Sequence, residues 1–132
     1  MMYLRAFIAG VVLPSVLLPL ILSLAVYAER PQLSDVLFVH YLPIIWGVWN
    51  VLYFAGLRDI LPGSLDVKLM LTGLILGVIV AIVAVFGLDL TQAIGLEGNA
   101  IYLPLIIAPI LYALFWWLIV KPLNSVVGVE SW

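Results

Sequence analysis

The chain has 132 residues, of which 67% are hydrophobic and only 9% are charged, and its formal net charge is −2. An ordinary soluble domain carries about 25% charged residues, so a soluble fold of this length could not bury so much apolar surface. There is no cysteine, which excludes disulfides and thiolate metal sites, and there is no basic patch or motif for nucleic acid.

Four apolar segments define the predicted fold. A helix needs about 20 apolar residues to cross a bilayer. Four segments meet this length without a single Asp, Glu, Lys or Arg: Phe7–Tyr27, Val36–Gly56, Leu69–Gly87 and Ile101–Val120. The apolar runs are continuous and lack the alternation of barrel strands. The sequence therefore predicts an all-α integral membrane protein with four transmembrane helices.

The connections and their charges predict how these helices are arranged. Because the connections are short, sequential helices should be antiparallel neighbours in one up-down bundle, a single membrane domain over residues 1–132. Arg5, Arg58, Lys68 and Lys121 belong to one side of that bundle, and only Arg30 belongs to the other. Basic residues favour the cytoplasmic side, so both termini are predicted to be cytoplasmic, most simply in a prokaryotic inner membrane.

Small residues form a stripe on the third segment. Gly73, Gly77, Ala81 and Ala84 are spaced by four, four and three residues, which places them on one helix face. Such stripes let membrane helices approach closely. We expect the stripe to pack against another helix, of this chain or of a second copy, with Gly10 and Gly47 as candidate counterparts within the chain.

Asn50 is the deepest polar residue of the second segment and shares a helix face with Trp46 and Tyr53. A carboxamide in lipid must find hydrogen-bond partners. One interpretation is a polar point in a pore or ligand cleft walled by aromatic side chains. The favoured interpretation is an interhelical bond, either to a carbonyl that a proline leaves free or to one of three hydroxyl side chains, those of Ser15, Ser23 and Thr72.

His40 and the tryptophans of the same segment raise separate questions. His40 lies about a turn and a half from the predicted surface, where an interfacial hydrogen bond is expected. The alternative is a ligand to haem or to a pigment. Trp46 and Trp49 lie mid-span, away from the membrane interfaces that tryptophan prefers. We expect a partner protein or a bound lipid to cover them.

Two short stretches suggest an internal repeat. YLPII at residues 41–45 resembles YLPLII at residues 102–107, as if a helical hairpin had been duplicated. Chance recurrence of Leu, Ile and Pro in apolar segments is the simpler explanation.

These features favour a protein without catalytic machinery, metal site or cofactor. No acid, base and nucleophile converge, and no ionisable residue lies deep in a span, as ion-coupled transport would require. The leading hypothesis is an accessory or structural subunit of a larger membrane complex. The alternative is a small homo-oligomeric channel or carrier for a neutral or weakly charged solute, and a weaker one is haem or pigment binding through His40. The expected partners are membrane lipid and other membrane subunits or copies of the chain, not nucleic acid.

Overall fold

A computed structural model describes residues 1–129, and the regular structure in this part of the chain is helical. It contains α1 (Met2–Tyr27), α2 (Leu37–Ile60), α3 (Leu65–Gly87), the short α4 (Leu90–Ala93) and α5 (Gly98–Val126). A 3₁₀ turn, Pro31–Asp35, precedes α2. Helices α1, α2, α3 and α5 are long and apolar enough to cross a membrane, which confirms the prediction of an all-α chain with four such helices.

The helices are longer than the apolar segments that predicted them. α1 begins at Met2 rather than at Phe7, α3 begins at Leu65 rather than at Leu69, and α5 continues to Val126 rather than ending at Val120. The charged residues Arg5, Lys68 and Lys121 are consequently parts of helices. A helix does not have to stop where its apolar run stops, because long basic side chains extend toward the headgroup region.

The helices pair as two close-packed antiparallel hairpins. In the first, Gly10 of α1 lies against Trp46 and Gly47 of α2, so closely that a methyl group on Gly10 would lie 2.6 Å from the Trp46 carbonyl oxygen. In the second, Gly77 of α3 lies against Ala108 and Pro109 of α5. Glycine at these contacts allows the two backbones to touch.

Aromatic side chains fill the space between the two hairpins. The Trp46 ring lies 4.9 Å from the Tyr112 ring, 4.7 Å from the Trp116 ring and 6.2 Å from the Phe115 ring, measured between ring centroids. The indole Nε1 of Trp49 donates a hydrogen bond of 3.0 Å to the Thr72 carbonyl. Along this part of the helices, the hairpins are therefore joined by an aromatic layer and by the Trp49 hydrogen bond.

Three helices contain a π-helical segment near one end: Tyr53–Leu57 in α2, Val83–Gly87 in α3 and Trp116–Val120 in α5. A π segment adds a residue to the helical turn and changes the direction of the side chains that follow it. Those of α2 and α5 lie close to the buried polar residues described next.

Candidate functional site

Two buried asparagines form a reciprocal amide pair inside the protein, close along the chain to the basic residues Arg5 and Lys121. Nδ2 of Asn50 donates to Oδ1 of Asn124 at 2.8 Å, and Nδ2 of Asn124 donates to Oδ1 of Asn50 at 3.3 Å. Nδ2 of Asn50 also donates to the carbonyl of Ala6 at 2.7 Å. Neither asparagine has any exposed surface. The pair therefore connects α1, α2 and α5 through three hydrogen bonds shielded from water and lipid.

Asn124 reaches this site because α5 continues beyond its π segment. The helical turns that follow, Lys121–Val126, carry Pro122 in the first turn, where a missing N–H costs little. Sequence reasoning missed Asn124 because Lys121 and Pro122 indicate the end of a helix. The sequence does contain one sign of this site. Asn124 is a second carboxamide, and it lies shortly after Val120, the predicted end of the fourth apolar segment.

The partners of Asn50 differ from those expected. Pro14 and Pro19 leave free the carbonyls four residues earlier, those of Gly10 and Ser15, but Asn50 bonds the carbonyl of Ala6. The prediction that Asn50 bonds a carbonyl left free by a proline, or a hydroxyl side chain, is therefore wrong.

Trp46 and Tyr53 lie on the same inward face of α2 as Asn50, and both are buried. Trp46 belongs to the aromatic layer, and Trp49 bonds a backbone carbonyl of α3. The expectation that a partner protein or a lipid covers the tryptophans is wrong for Trp46, which other parts of the chain bury. Trp49 is only partly buried, so for this residue it stays a prediction. A tryptophan in mid-span can be a spacer between hairpins as well as an interface residue.

The small-residue stripe of α3 contacts α5 of the same chain. A methyl group on Gly77 would lie 2.6 Å from the Pro109 Cα, and the nearest neighbours of Gly73 belong to Tyr112 and Trp116. Ala81 and Ala84 are buried as well. Gly10 and Gly47, the expected counterparts of the stripe, contact the opposite helix of their own hairpin instead.

His40 lies at the start of α2, with an exposed side chain. Its Nε2 is 2.8 Å from the carbonyl of Ser34, and since a carbonyl only accepts, this nitrogen carries the proton. Ligation of haem or pigment by His40 stays a prediction, and ligation through Nε2 would have to replace the bond to Ser34.

The basic residues gather at one end of the molecule, which we call the basic end and define by Arg5, Arg58, Lys68 and Lys121. The Arg5 side chain donates to the carbonyl of Gly128 at 2.9 Å, and Lys121 pairs with Asp66 at 2.5 Å. Lys68 Nζ donates to the carbonyl of Arg58 at 2.6 Å. These contacts tie α1 to the end of α5, α5 to α3, and α3 to α2.

Among residues 1–129, no three His, Asp or Glu side chains are placed to hold a metal ion. The amide pair has no titratable group, so it can hold helices together or bind a polar ligand that displaces one of its bonds, but it cannot exchange protons near neutral pH. In comparisons with known proteins, the chain matches no protein-family model, no curated protein and no solved structure. What the structure defines is a class: a helical protein with four helices suited to integration in a membrane.

Proposed function

We propose that the chain is an accessory or structural subunit of a larger complex in a prokaryotic inner membrane. In this proposal the four long helices form an up-down bundle, with both termini and the α2–α3 connection in the cytoplasm. The subunit has no catalytic role, and its function is to pack against other membrane proteins.

Contacts at both ends of the helices support the up-down arrangement. The basic end brings together the start of α1, the α2–α3 connection and the end of α5. At the opposite end, the guanidinium of Arg30, from the α1–α2 connection, lies against Gly95 of the α3–α5 connection. The positive-inside rule then places the basic end in the cytoplasm.

The mainly apolar interior is the observation that carries the proposal of a packing role. In the spans, both asparagine amides, Thr72 and Trp49 have hydrogen-bond partners inside the protein. The Tyr53 hydroxyl and the Trp116 indole nitrogen are buried without a partner among the described residues, so the interior holds few polar groups that a solute could reach. Beyond the aromatic layer, the space between the hairpins is walled by apolar side chains. A solute path normally needs polar groups along its length, so this interior favours packing over transport.

The surface that we propose for the partner follows α1. Only 17% of its most apolar stretch is buried, compared with 44% for α3, so α1 has the largest unpartnered face. Between α1, α2 and α5 lies an apolar groove of about 120 Å³. Its walls are formed by Leu13, Pro14, Leu17, Leu18, Ile21, Leu42, Trp46, Tyr112 and Phe115. An apolar side chain from a partner's helix fits such a groove, because membrane helices associate by close packing.

Native mass spectrometry of the protein, extracted gently from its own membrane, tests this function. We expect unrelated membrane chains to travel with it in fixed stoichiometry. Leu17→Trp, which fills the groove, should release them, whereas Leu20→Trp, on the exposed side of the same helix, should not. A pure homo-oligomer would favour a channel or carrier, and a lone monomer would contradict both functions.

A further inference from the structure

The side of α1 that faces away from the other helices carries a regular row of side chains. Successive members are separated by four, three, four, three and four residues, which places them on one helix face. The row consists of Ile8, Val12, Ser15, Pro19, Leu22 and Val26, and we call it the Ser15 stripe. Leu22 is partly buried and the other five are exposed. The stripe is separate from the apolar groove, whose α1 residues Leu13 and Leu17 lie on the opposite side of the helix.

The Ser15 hydroxyl is a free hydrogen-bond donor in the middle of this stripe. Ser15 lies near the midpoint of α1, so it is close to the bilayer centre when the helix spans a membrane. The other hydroxyl side chains of the long helices, those of Ser23, Thr72 and Ser125, each donate to the carbonyl four residues earlier. The Ser15 hydroxyl makes no hydrogen bond with any residue that the structure describes.

The backbone carbonyl of Ser15 is a free acceptor at the same depth. A helical carbonyl normally accepts from the N–H four residues later, but that residue is Pro19, which has no N–H. If the Ser15 hydroxyl turned to the Val11 carbonyl, its own carbonyl would still lack a donor. Because the bilayer core holds no water, an unsatisfied group there costs several kcal/mol. The exposed face of α1 therefore needs a neighbour that offers both a donor and an acceptor at mid-span.

We propose that a second copy of the chain packs on the Ser15 stripe, α1 against α1 in parallel, about a two-fold axis along the membrane normal. Such an axis brings each residue of the stripe to its equivalent in the other copy. Each Ser15 hydroxyl then donates to the Ser15 carbonyl of the other copy, so both donors and both acceptors are satisfied. An unrelated helix would have to present the same two groups at the same depth, whereas a second copy presents them by symmetry.

The spacing and the charges of the chain are compatible with this pair. Alternating separations of three and four residues form the contact seam of two helices that cross at about 20°, and equivalent positions meet when the helices are parallel. The uneven distribution of Lys and Arg predicts one orientation for every copy, as a parallel pair requires. The groove stays open in both copies, so the pair does not depend on the unrelated partner proposed above.

Disulfide cross-linking in the protein's own membrane tests the contact, since the chain has no cysteine. Val26→Cys lies on the stripe, and Leu24→Cys is the matched control, because both residues are 58% exposed but lie on opposite sides of α1. We expect a mild oxidant to convert Val26→Cys, and not Leu24→Cys, to a covalent dimer. Equal cross-linking of the two variants, or a Val26→Cys protein that stays monomeric, would overturn the proposal.

The role of Ser15 is measured by sedimentation equilibrium of the purified full-length chain in a neutral detergent. Ser15→Ala should lower the association constant of the dimer about three- to tenfold, the size expected for losing two hydrogen bonds between membrane helices. The side chain is exposed within one copy, so the fold should survive. Ser23→Ala is the control, because Ser23 bonds the Pro19 carbonyl of its own helix.

A wild-type chain that is monomeric at all concentrations, or an equal effect of Ser15→Ala and Ser23→Ala, would contradict the Ser15 contact. These outcomes are distinct from a failure of the proposed function. Loss of unrelated chains from the gently extracted protein would contradict the subunit role and leave the dimer intact, because the two surfaces lie on opposite sides of α1.

Discussion

Asn50 and Asn124 are each surrounded by protein, and each provides the other with a donor and an acceptor. A single amide in this environment would leave buried polar groups unsatisfied, which costs more than the net gain from one hydrogen bond. Each asparagine therefore depends on the other for its hydrogen bonds. Asn50 also donates a hydrogen bond to the Ala6 carbonyl of α1.

A double-mutant cycle tests this dependence. Asn50→Leu and Asn124→Leu should each lower the free energy of unfolding by about 1–3 kcal/mol, because each leaves the other amide without its partner. The double variant should lose less than the sum of the two, with a coupling energy of about 1 kcal/mol, near the middle of the range for hydrogen bonds between membrane helices. Unfolding by SDS in mixed micelles measures all three variants.

The same variants distinguish a structural amide from one that lines a solute path. If Asn50 holds helices together, its replacement changes stability or assembly. Additive losses with no coupling, or a folded and stable Asn50→Leu protein that has lost a flux present in the wild type, would contradict the structural role.

The burial of Asn50 could be predicted from the sequence, but its partners could not. A carboxamide in an apolar segment must turn inward, whatever surrounds it. Which group it meets depends on the register of α1 and α5 against α2, and single-segment patterns do not contain this register. The partner on α1 is also a backbone carbonyl, which every residue offers equally.

At the scale of helices, close contact through glycine determines which helices form hairpins. A methyl group on Gly77 would lie 2.6 Å from the Pro109 Cα and 2.8 Å from the Ala108 carbonyl oxygen. Both neighbours are backbone atoms, which cannot rotate away as a side chain can. The contact therefore tolerates no side chain without separating α3 from α5.

Gly77→Ala should accordingly destabilise the protein by about 1–3 kcal/mol, the usual cost of overpacking a tight contact, and Gly77→Leu should prevent assembly of the hairpin. Gly87→Ala is the matched control on the same helix, because its added methyl group would meet only Val83 Cγ1, at 3.8 Å. Thermal unfolding in detergent compares the variants. A Gly77→Ala protein as stable as Gly87→Ala would show that the two backbones do not approach as closely as described.

The four long helices could be predicted because lipid imposes both their length and their lack of charge. The end of α5 could not be predicted, and Asn124 was missed for this reason. Lys121 and Pro122 are typical of a helix end, but the π segment Trp116–Val120 comes directly before them and the helix continues to Val126. A π segment has no simple sequence signal, so the sequence places Asn124 outside the predicted helix.

At the scale of the whole molecule, two tight hairpins and one aromatic layer account for the architecture. Trp46 contacts Tyr112, Phe115 and Trp116 across the gap between the hairpins. This organisation agrees with the division into two hairpins that the repeated YLP stretches suggest, although the division does not require duplication. The layer could not be predicted, because aromatic residues in mid-span are equally suited to a partner, a lipid or another part of the chain.

The proposed orientation of the whole bundle can be tested directly because the chain has no cysteine. Ser64 is exposed in the α2–α3 connection at the basic end, and Gln32 is exposed in the α1–α2 connection at the opposite end. In intact cells treated with a membrane-impermeant maleimide, we expect Gln32→Cys to be labelled and Ser64→Cys to be protected. Ser64→Cys should be labelled only after cell lysis, because the positive-inside rule places the basic end in the cytoplasm.

The reverse labelling pattern would place the basic end outside the cell. Labelling of both positions in intact cells would mean that the chain inserts in both orientations, which its uneven distribution of Lys and Arg argues against. Labelling of Ser64→Cys after lysis is the control for its reactivity. Protection of Ser64→Cys alone would therefore place the basic end, and with it the α2–α3 connection, on the cytoplasmic side.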